Sequence, residues 1–383
     1  MERNVYINDI ASFLPNEPIE NDAMEDILGY VNGRRSRSFG MVLRSNGIKT
    51  RYYAIDPVTK KITHNNAKMT VEAIQKLLAR SNTDLDDVES LSCGTSSPDQ
   101  LQPAHANMVQ GLLSMHPSEA TTAAGVCLSG ITAMKYAVLN ILSSGCKKAI
   151  ATGSEFASVS FLASNFKSGS EISSDTLKRK PSLIFEKDFL RWMLSDGAGA
   201  VLLSDAPNKD RLSLRIDWID IISYSGELPV CMFAGCNRKE DGTIVGYREV
   251  DDPFELINKH FFALKQDTEI LDKHIVIKST DALQEICKKR DLNVDDVNWF
   301  LPHYSSEFFR PRLYESLIEK GLEIPYQKWF TNLTSVGNVG SASIYLILEE
   351  IFYNQTLKPG DRVLCYVPES ARFSFGYMHI TVV

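Results

Sequence analysis

The chain has 383 residues, of which 44% are hydrophobic and 23% charged, and this average composition excludes disorder, collagen and coiled coil as the main architecture. A net charge of −7 at pH 7 argues against a general nucleic-acid binder, because such proteins are usually basic. At about 100–200 residues per domain, the length predicts two or three domains or one large duplicated unit.

The sequence contains no signal for export or membrane insertion. The N-terminus lacks an apolar core of signal-peptide length, and no apolar run reaches the roughly 18 residues that a membrane helix needs. The seven cysteines are odd in number and scattered along the chain. We therefore predict a reduced, cytoplasmic protein without a disulfide framework and without a membrane segment.

Apolar periodicity predicts alternating helices and strands in the first half of the chain. Helices are predicted over 67–79, 104–113 and 127–142, and strands over 88–93, 148–152 and 197–203. Alternation of elements of this size is typical of an α/β layered fold. Residues 156–193 break the pattern and are interpreted as a functional loop or a cap, and residues 225–252 are interpreted as a second irregular stretch.

The same order of elements recurs in the second half of the chain. Asp86-Asp87-Val88 and Asp295-Asp296-Val297 lie 209 positions apart, and each precedes a strand that ends in a polar turn. Gly125-Val126-Cys127 and Gly337-Asn338-Val339-Gly340 each open a helix that leads to another strand. Four matching elements in order predict a duplicated α/β unit, with halves 1–205 and 206–383.

Cys127 is the leading candidate nucleophile. It lies just where the long apolar helix is predicted to begin, between Gly125 and Gly130. The positive end of a helix dipole and its free N–H groups favour the thiolate, and small neighbours let an acyl group approach. The alternative is a buried structural cysteine, because free cysteine is among the most buried residue types.

His303 and Asn338 are candidate partners of Cys127. His303 follows a predicted strand, at the end where α/β folds bind ligands, and Asn338 occupies the second half's copy of the Cys127 position. A pseudo-twofold axis between the halves would bring all three side chains together, as a nucleophile with two hydrogen-bond donors. Taken singly, each is more often a structural histidine or a turn residue.

Two further side chains are candidates for the same site. Glu155 ends the strand after the Cys127 helix and is interpreted as a base or an orienting group, or else as a carboxylate in a dimer contact. Phe156, with Phe161 and Phe166, is a candidate wall of an acyl tunnel or plain core.

No metal or cofactor is expected. The seven histidines form no His-Glu-x-x-His pattern, and Cys231 and Cys236 lack a second ligand pair. No phosphate loop or dinucleotide fingerprint follows a predicted strand.

As a set, these motifs resemble the thiolase superfamily and, within it, the β-ketoacyl-acyl-carrier-protein synthase III group. The resemblance runs from about residue 40 to the end of the chain, and its segments are 96–99, 125–130, 195–200, 301–303 and 337–343. It implies a duplicated five-layered α-β-α-β-α fold, a homodimer and a Cys-His-Asn site. Cys127 would accept the acyl group, and His303 and Asn338 would stabilise an enolate or its oxyanion. The resemblance therefore implies an acyltransferase that makes carbon–carbon bonds by Claisen condensation of two acyl thioesters.

A finer resemblance is to the condensing enzymes of dialkylresorcinol and flexirubin-type pigment pathways. It rests on residues 13–18, 46–53 and 368–373. Those enzymes join two acyl thioesters, one of them a β-ketoacyl chain, and close a cyclohexanedione ring.

The sequence departs from the fatty-acid initiation enzymes at two places. Met41 stands where they usually carry a Trp that stacks on coenzyme A, which favours acyl carrier protein over coenzyme A as the donor. Ser370-Ala371-Arg372 replaces their Gly-Gly-Gly loop, so Arg372 would supply a backbone N–H to the acyl oxyanion hole only if it adopts the required backbone angles.

An acidic carrier protein needs a local basic patch on this acidic chain. Three clusters are candidates, or else ordinary solvated faces: Arg34, Arg35 and Arg37; 178–180; and 288–290. The alternatives to a ring-closing condensing enzyme are an initiating ketoacyl synthase III, an acyltransferase to a hydroxyl or amine, and a non-catalytic partner subunit of a ketosynthase.

Overall fold

The computed structural model describes residues 3–36, 39–166, 189–239, 241–354 and 357–383. Of the sequence predictions, Arg37, the basic cluster 178–180 and part of the irregular stretch 156–193 lie outside these residues.

The chain alternates between strands and helices from end to end. The strands are β1 (Val5–Phe13), β2 (Ile19–Glu20), β3 (Thr50–Arg51), β4 (Ser90–Thr95), β5 (Glu119–Ala124), β6 (Lys148–Glu155), β7 (Gly197–Ser204), β8 (Leu214–Ser223), β9 (Met232–Phe233), β10 (Cys236–Arg238), β11 (Ile244–Gly246), β12 (Lys265–Gln266), β13 (Trp299–Pro302), β14 (Arg362–Glu369) and β15 (Ser374–Val382). The α-helices are α1 (Met24–Leu28), α2 (Phe39–Asn46), α3 (Asn66–Ser81), α4 (His105–Leu112), α5 (Ser129–Leu142), α6 (Pro253–Asn258), α7 (Thr268–Arg290), α8 (Phe309–Glu319), α9 (Leu333–Val336) and α10 (Ser343–Tyr353).

One large mixed sheet runs through both halves of the chain, in the order β13-β14-β15-β8-β1-β7-β6-β4-β5. The segment β4-β6-β7-β1 has the same topology as β13-β14-β15-β8, with two parallel strands followed by two antiparallel ones. A parallel bridge between Phe300 and Trp329 stands beside β13, where β5 stands beside β4. The halves join where β1 pairs with β8. The predicted α/β class is confirmed.

The repeat extends to backbone detail at the same offset as in the sequence. Helix α3 ends at Asn82 and α7 at Asp291, and both residues have a left-handed φ of 50°. A short 3-10 turn follows each helix, capped by the side chain of Asp84 in one half and of Asn293 in the other. These caps satisfy backbone N–H groups and direct the chain into β4 and β13.

Three apolar cores separate five layers. Helices α3 and α4 cover the outer face of the first half of the sheet, and α7 and α8 cover that of the second half. Helices α5 and α10 lie between the two halves of the sheet. Strand β6 shows the alternation that this requires, since Ala149 and Ala151 pack in the central core and Ile150 packs against α3.

Two glycines allow the backbone segments of the central layer to pack in close contact. The backbone carbonyl of Ser341, in the 3-10 turn before α10, approaches Gly130 and Gly153 so closely that a Cβ at either would lie 2.1 or 2.2 Å from the oxygen. The Ser341 hydroxyl donates to the Ser154 carbonyl (2.6 Å), and the Tyr345 hydroxyl donates to the Gly130 carbonyl (2.8 Å). These contacts hold the start of α10 against the C-terminal end of β6 and the first turn of α5.

Four strands of the large sheet, β1, β5, β8 and β15, were not predicted from the sequence, and one helix start was placed too early. Strand β1 carries the buried polar residues Asn8 and Asp9, and β5 (Glu-Ala-Thr-Thr-Ala-Ala) has no large apolar residue, so neither has a strong hydrophobic pattern. Helix α5 begins at Ser129, two residues after the predicted position. Within the described ranges, no helix is both long and apolar enough to cross a membrane.

Replacing Gly153 should destabilise the central layer, because a Cβ there would overlap the Ser341 carbonyl. We expect Gly153→Ala to lower the free energy of unfolding by about 2–3 kcal/mol, measured by urea unfolding. Gly111→Ala is the control, because a Cβ at this helical glycine meets no atom within 4 Å. It should raise stability by up to about 1 kcal/mol. Equal urea midpoints for Gly153→Ala and Gly111→Ala would show that Gly153 and the Ser341 carbonyl are not in close contact.

Candidate active site

Cys127, His303 and Asn338 line one cavity of about 840 Å³ between the two halves of the chain. Glu155 and Phe156, two further candidates from the sequence, line it too. Its wall is mostly apolar and extends from these residues to α7 and α8, where Leu271, Ile275 and Leu313 lie. The cavity therefore combines the polar groups of Cys127, His303 and Asn338 with a mostly apolar wall.

The nucleophile candidate sits in the turn between β5 and α5. Strand β5 ends at Ala124, and the Ser129 hydroxyl donates to the Val126 carbonyl (2.7 Å), which closes the turn in front of the helix. Leu128 is the N-cap, so Cys127 precedes the helix instead of starting it. Its side chain is half-buried and faces the cavity.

The electrostatic setting of Cys127 is less favourable to the thiolate than the sequence indicates. Burial and, after it, the carboxylates of Glu155 and Glu369 raise the pKa of the thiol, and only the Cys127 backbone N–H lowers it. The thiolate form of Cys127 is therefore disfavoured before a substrate binds. The thiol has to lose its proton as the acyl group arrives.

His303 follows β13, and its backbone N–H donates to the Tyr366 carbonyl on β14 (2.8 Å). The side chain is buried, and burial lowers the pKa of His303 to about 4, so the ring is neutral at physiological pH. No hydrogen-bonding group among the described residues occupies the ring nitrogens. One ring N–H is thus available to donate to an oxygen in the cavity.

Asn338 is oriented by its own backbone turn. Its N–H donates to the Met193 carbonyl (3.0 Å), and its carbonyl accepts from Ser195 (2.9 Å), which holds the residue against the first half. The side-chain Oδ1 accepts from the Gly340 N–H (2.9 Å). A backbone N–H can only donate, so this bond fixes the amide orientation and leaves the Nδ2 donor for the cavity.

Glu155 connects the two halves beside this turn. One carboxylate oxygen accepts from the hydroxyls of Ser96 and Ser97, and the other accepts from the N–H and hydroxyl of Ser341. Burial raises the pKa of Glu155 against the effect of these bonds. Gly340 has a φ of +50° and lies against the carboxylate, where a Cβ would come within 2.2 Å of it.

Phe156 follows Glu155 and is buried in the cavity wall, and Phe161 is a second buried phenylalanine that lines the cavity. The side chain of Phe166 is outside the described residues. Cys236, on β10, is a second thiol in the same wall.

Glu369 is a cavity residue that the sequence reasoning missed. It ends β14, and its Oε2 accepts from the N–H of Val126, the residue before the nucleophile (3.0 Å). Burial raises the pKa of Glu369. The internal repeat could have identified Glu369, because β14 corresponds to β6 and Glu155 is the last residue of β6.

Arg372 does not line the cavity. Its side chain is exposed, and its Nε donates to the Leu228 carbonyl (3.4 Å). Ser370 and Ala371 line the cavity instead. The left-handed residue of this loop is Phe373, with a φ of 56°, and not Arg372. Phe373 is fully buried, and burial holds this bulky residue in an unfavourable backbone conformation.

The basic clusters are partly neutralised by acidic neighbours. Arg35 pairs with Glu25 (3.1 Å), and Lys289 and Arg290 both pair with Asp220 (2.8 and 2.7 Å). These two cations and their hydrogen bonds lower the pKa of Asp220 to about 2. Met41 is exposed on α2.

The charged groups of the cavity wall are all acidic. Asp99, Glu155 and Glu369 line it, while no Lys or Arg of the described chain does. No group of three or more His, Cys, Asp or Glu side chains within those same ranges is arranged to hold a metal ion.

Two family profiles match the chain, one in each half. The thiolase N-terminal domain matches residues 55–188, and the 3-oxoacyl-[acyl-carrier-protein] synthase III C-terminal domain matches residues 287–371. The β-ketoacyl-[acyl-carrier-protein] synthase III of Chlorobaculum tepidum is 24% identical over 376 residues, which is 98% of each chain.

Solved structures share the fold over nearly the whole chain. The tetronic acid condensing enzyme AbyA1 superposes with a TM-score of 0.76 at 18% identity, covering 98% of this chain and 99% of its own. The C143S variant of Xanthomonas campestris OleA, with bound lauric acid and lauroyl-CoA, has a TM-score of 0.73 at 16% identity and full coverage of both chains. The predicted thiolase-like fold is confirmed. The chain belongs to the thiolase superfamily, among its condensing enzymes of the β-ketoacyl-acyl-carrier-protein synthase III type.

Proposed function

We propose that this chain joins two acyl thioesters by Claisen condensation through an acyl-Cys127 intermediate. The observation that carries the proposal is the cavity itself, in which one thiol, one neutral imidazole and one oriented amide come together from both halves of the chain. A nucleophile facing two neutral hydrogen-bond donors suits a reaction that develops negative charge on oxygen.

In the first half-reaction the Cys127 sulfur attacks the thioester carbonyl. The bond from the acyl carbon to the carrier sulfur breaks, the acyl group stays on Cys127, and the thiol proton leaves with the carrier thiol. In the second half-reaction the enolate of a second thioester attacks the acyl carbon and releases Cys127. The His303 ring N–H and the Asn338 Nδ2 stabilise the enolate oxygen, because both are uncharged donors without a competing acceptor in the described part of the chain.

The mostly apolar cavity is suited to an acyl chain. Side chains of α7 and α8 line it, and Phe156 and Phe161 line the same cavity as Cys127. The curated relatives are named for acyl-carrier-protein substrates, and OleA binds lauric acid and lauroyl-CoA. We assign the donor to acyl carrier protein, with coenzyme A the less favoured carrier because Met41 replaces the stacking Trp.

Ring closure to a cyclohexanedione, the precursor of a dialkylresorcinol, is the finer proposal. It rests on the pigment-enzyme resemblance of residues 13–18, 46–53 and 368–373, of which the last contributes Ser370 and Ala371 to the cavity. The alternatives remain an initiating ketoacyl synthase, an acyltransferase to a hydroxyl or amine, and a non-catalytic subunit. The presence of Cys127, His303 and Asn338 in one cavity disfavours the last. All seven cysteines are free thiols, which fits the proposed cytoplasmic location.

Cys127 should carry the acyl group. After mixing with acyl-loaded carrier protein, intact-protein mass spectrometry should show one acyl mass on the wild-type chain and none on Cys127→Ala. Cys236→Ala is the matched control, because this thiol lines the same cavity and should be dispensable. An adduct that disappears in Cys236→Ala instead would identify Cys236 as the nucleophile. The released product then separates linear condensation from ring closure.

His303 should act as a neutral donor at every working pH. Its pKa of about 4 leaves the ring uncharged as pH rises above about 5, so the ring's contribution does not change in that range. We expect His303→Ala to slow condensation about 100-fold by the same factor at each pH, as for loss of an oxyanion donor. His116→Ala, outside the cavity, should be neutral. A loss that varies with an ionisation near the ordinary histidine pKa would refute a neutral donor.

We further propose that the chain forms a homodimer through the sheet edge at β5, which pairs only with β4 in the described chain. Beside it, the α5 side chains Tyr136 and Asn140 bond Glu119, and Leu139 between them is exposed.

Leu139→Arg should shift the mass in solution from twice 42.9 kDa towards the single-chain value, measured by sedimentation. Ile257→Arg, an exposed apolar position on α6, is the control and should leave the dimer intact. A wild-type chain that sediments as a monomer would contradict the dimer.

A further inference from the structure

Two carboxylates end corresponding strands of the two halves and reach the same cavity. Glu155 is the last residue of β6, and Glu369 is the last residue of β14. Both line the wall around Cys127, although condensation through a cysteine, a histidine and an amide does not by itself require either. A buried carboxylate is costly, so its presence in a substrate cavity calls for a function.

The two carboxylates differ in how many hydrogen bonds they already accept from the protein. Both oxygens of Glu155 accept hydrogen bonds, from Ser96 and Ser97 on one side and Ser341 on the other. Glu155 therefore ties the halves together. Glu369 accepts only from the backbone turn of the nucleophile, with its Oε2 on the Val126 N–H, and no described side chain donates to it. Its remaining lone pairs are free to take a proton from a ligand.

The position of Glu369 suits a proton taken next to the acyl group. The hydrogen bond to Val126 places the carboxylate one residue from Cys127, close enough for its charge to oppose the thiolate. Burial favours the protonated form of Glu369, which makes the ionised carboxylate a stronger base than one in water. The proton acceptor, the acyl carbon and the donors His303 and Asn338 share one cavity.

The charges of the cavity also act on the second substrate. Asp99, Glu155 and Glu369 line the wall, and the described lining has no cation to pair with another carboxylate. A malonyl thioester would bring a further negative charge into this low-dielectric space, where like charges repel strongly. A β-ketoacyl thioester carries no charge at its reacting end, and its C2 hydrogen is acidified by two carbonyl groups.

We propose that Glu369 is the catalytic base that removes the C2 proton of the second substrate, the β-ketoacyl thioester that the pigment-enzyme resemblance implies. This inference rests on the proposed condensation and names how its enolate forms. The Glu369 carboxylate takes the C2 proton, and the electron pair of the C–H bond becomes the enolate. The enolate carbon attacks the acyl carbon, the carbon–sulfur bond breaks, and the sulfur of Cys127 recovers the proton from Glu369. No carbon dioxide is released, and no other reactant is consumed.

The test separates the two half-reactions. Wild-type protein, Glu369→Gln and the surface charge control Glu72→Gln are first acylated with acyl-loaded carrier protein, and the acyl-Cys127 mass is recorded. Each is then mixed with 3-oxoacyl- or malonyl-loaded carrier protein, and loss of the acyl mass, product and carbon dioxide are followed over one turnover. The glutamine still accepts the Val126 hydrogen bond, so the nucleophile turn is kept while the base is lost.

We expect all three proteins to form the acyl-Cys127 adduct and the wild type to discharge it onto the 3-oxoacyl thioester without carbon dioxide. Glu369→Gln should discharge it at least about 100-fold more slowly, and Glu72→Gln at the wild-type rate. Discharge of Glu369→Gln at the wild-type rate, or a wild type that prefers the malonyl thioester and releases carbon dioxide, would overturn the inference.

A second measurement does not depend on acyl transfer. In heavy water, Cys127→Ala should exchange the C2 hydrogens of a 3-oxoacyl thioester above the enzyme-free rate, and Cys127→Ala with Glu369→Gln should not. If Cys127→Ala exchanges the C2 hydrogens but the wild type forms no acyl adduct, Glu369 is still supported as the base. The acyl-cysteine intermediate would then be rejected. Equal exchange by the single and double variants would reject Glu369 as the base.

Discussion

The site depends on one close backbone contact, in which the Ser341 carbonyl lies against Gly130 and Gly153. Because neither glycine has a side chain, the start of α10 can approach α5 and β6 closely enough for Ser341 to bond Ser154 and Glu155. That approach places Asn338 in the cavity that Cys127 faces. Without this contact, Asn338 of the second half would lie farther from Cys127 of the first half.

Burial governs the chemistry of the cavity more than any helix dipole does. It keeps the His303 ring neutral, opposes ionisation of Cys127 and raises the pKa values of Glu155 and Glu369. The imidazole donor and the thiol nucleophile are therefore uncharged before the reaction begins. Charge then develops mainly during reaction, on the thioester oxygens, where fixed donors have their largest effect.

The duplicated α/β architecture and the meeting of Cys127, His303 and Asn338 in one cavity could be predicted from the sequence, because glycine-flanked turns and long apolar elements leave strong local patterns. Strand β5 was not, since its small residues derive their place from pairing with β4. Glu369 was missed because its role depends on a contact with Val126, 243 positions away. Arg372 was named from a loop match, but the outcome depends on backbone angles, and the left-handed angle falls on Phe373.

The antiparallel pairing of β1 with β8 joins the halves into one continuous sheet. Each half thus covers an edge of the other and supplies what the other lacks at the cavity: the thiol from the first, the imidazole and amide from the second. Either half alone would have an uncovered sheet edge where β1 or β8 lost its partner, and an incomplete set of reacting groups. Expressing the halves as separate chains would therefore restore the cavity only if β1 and β8 paired again.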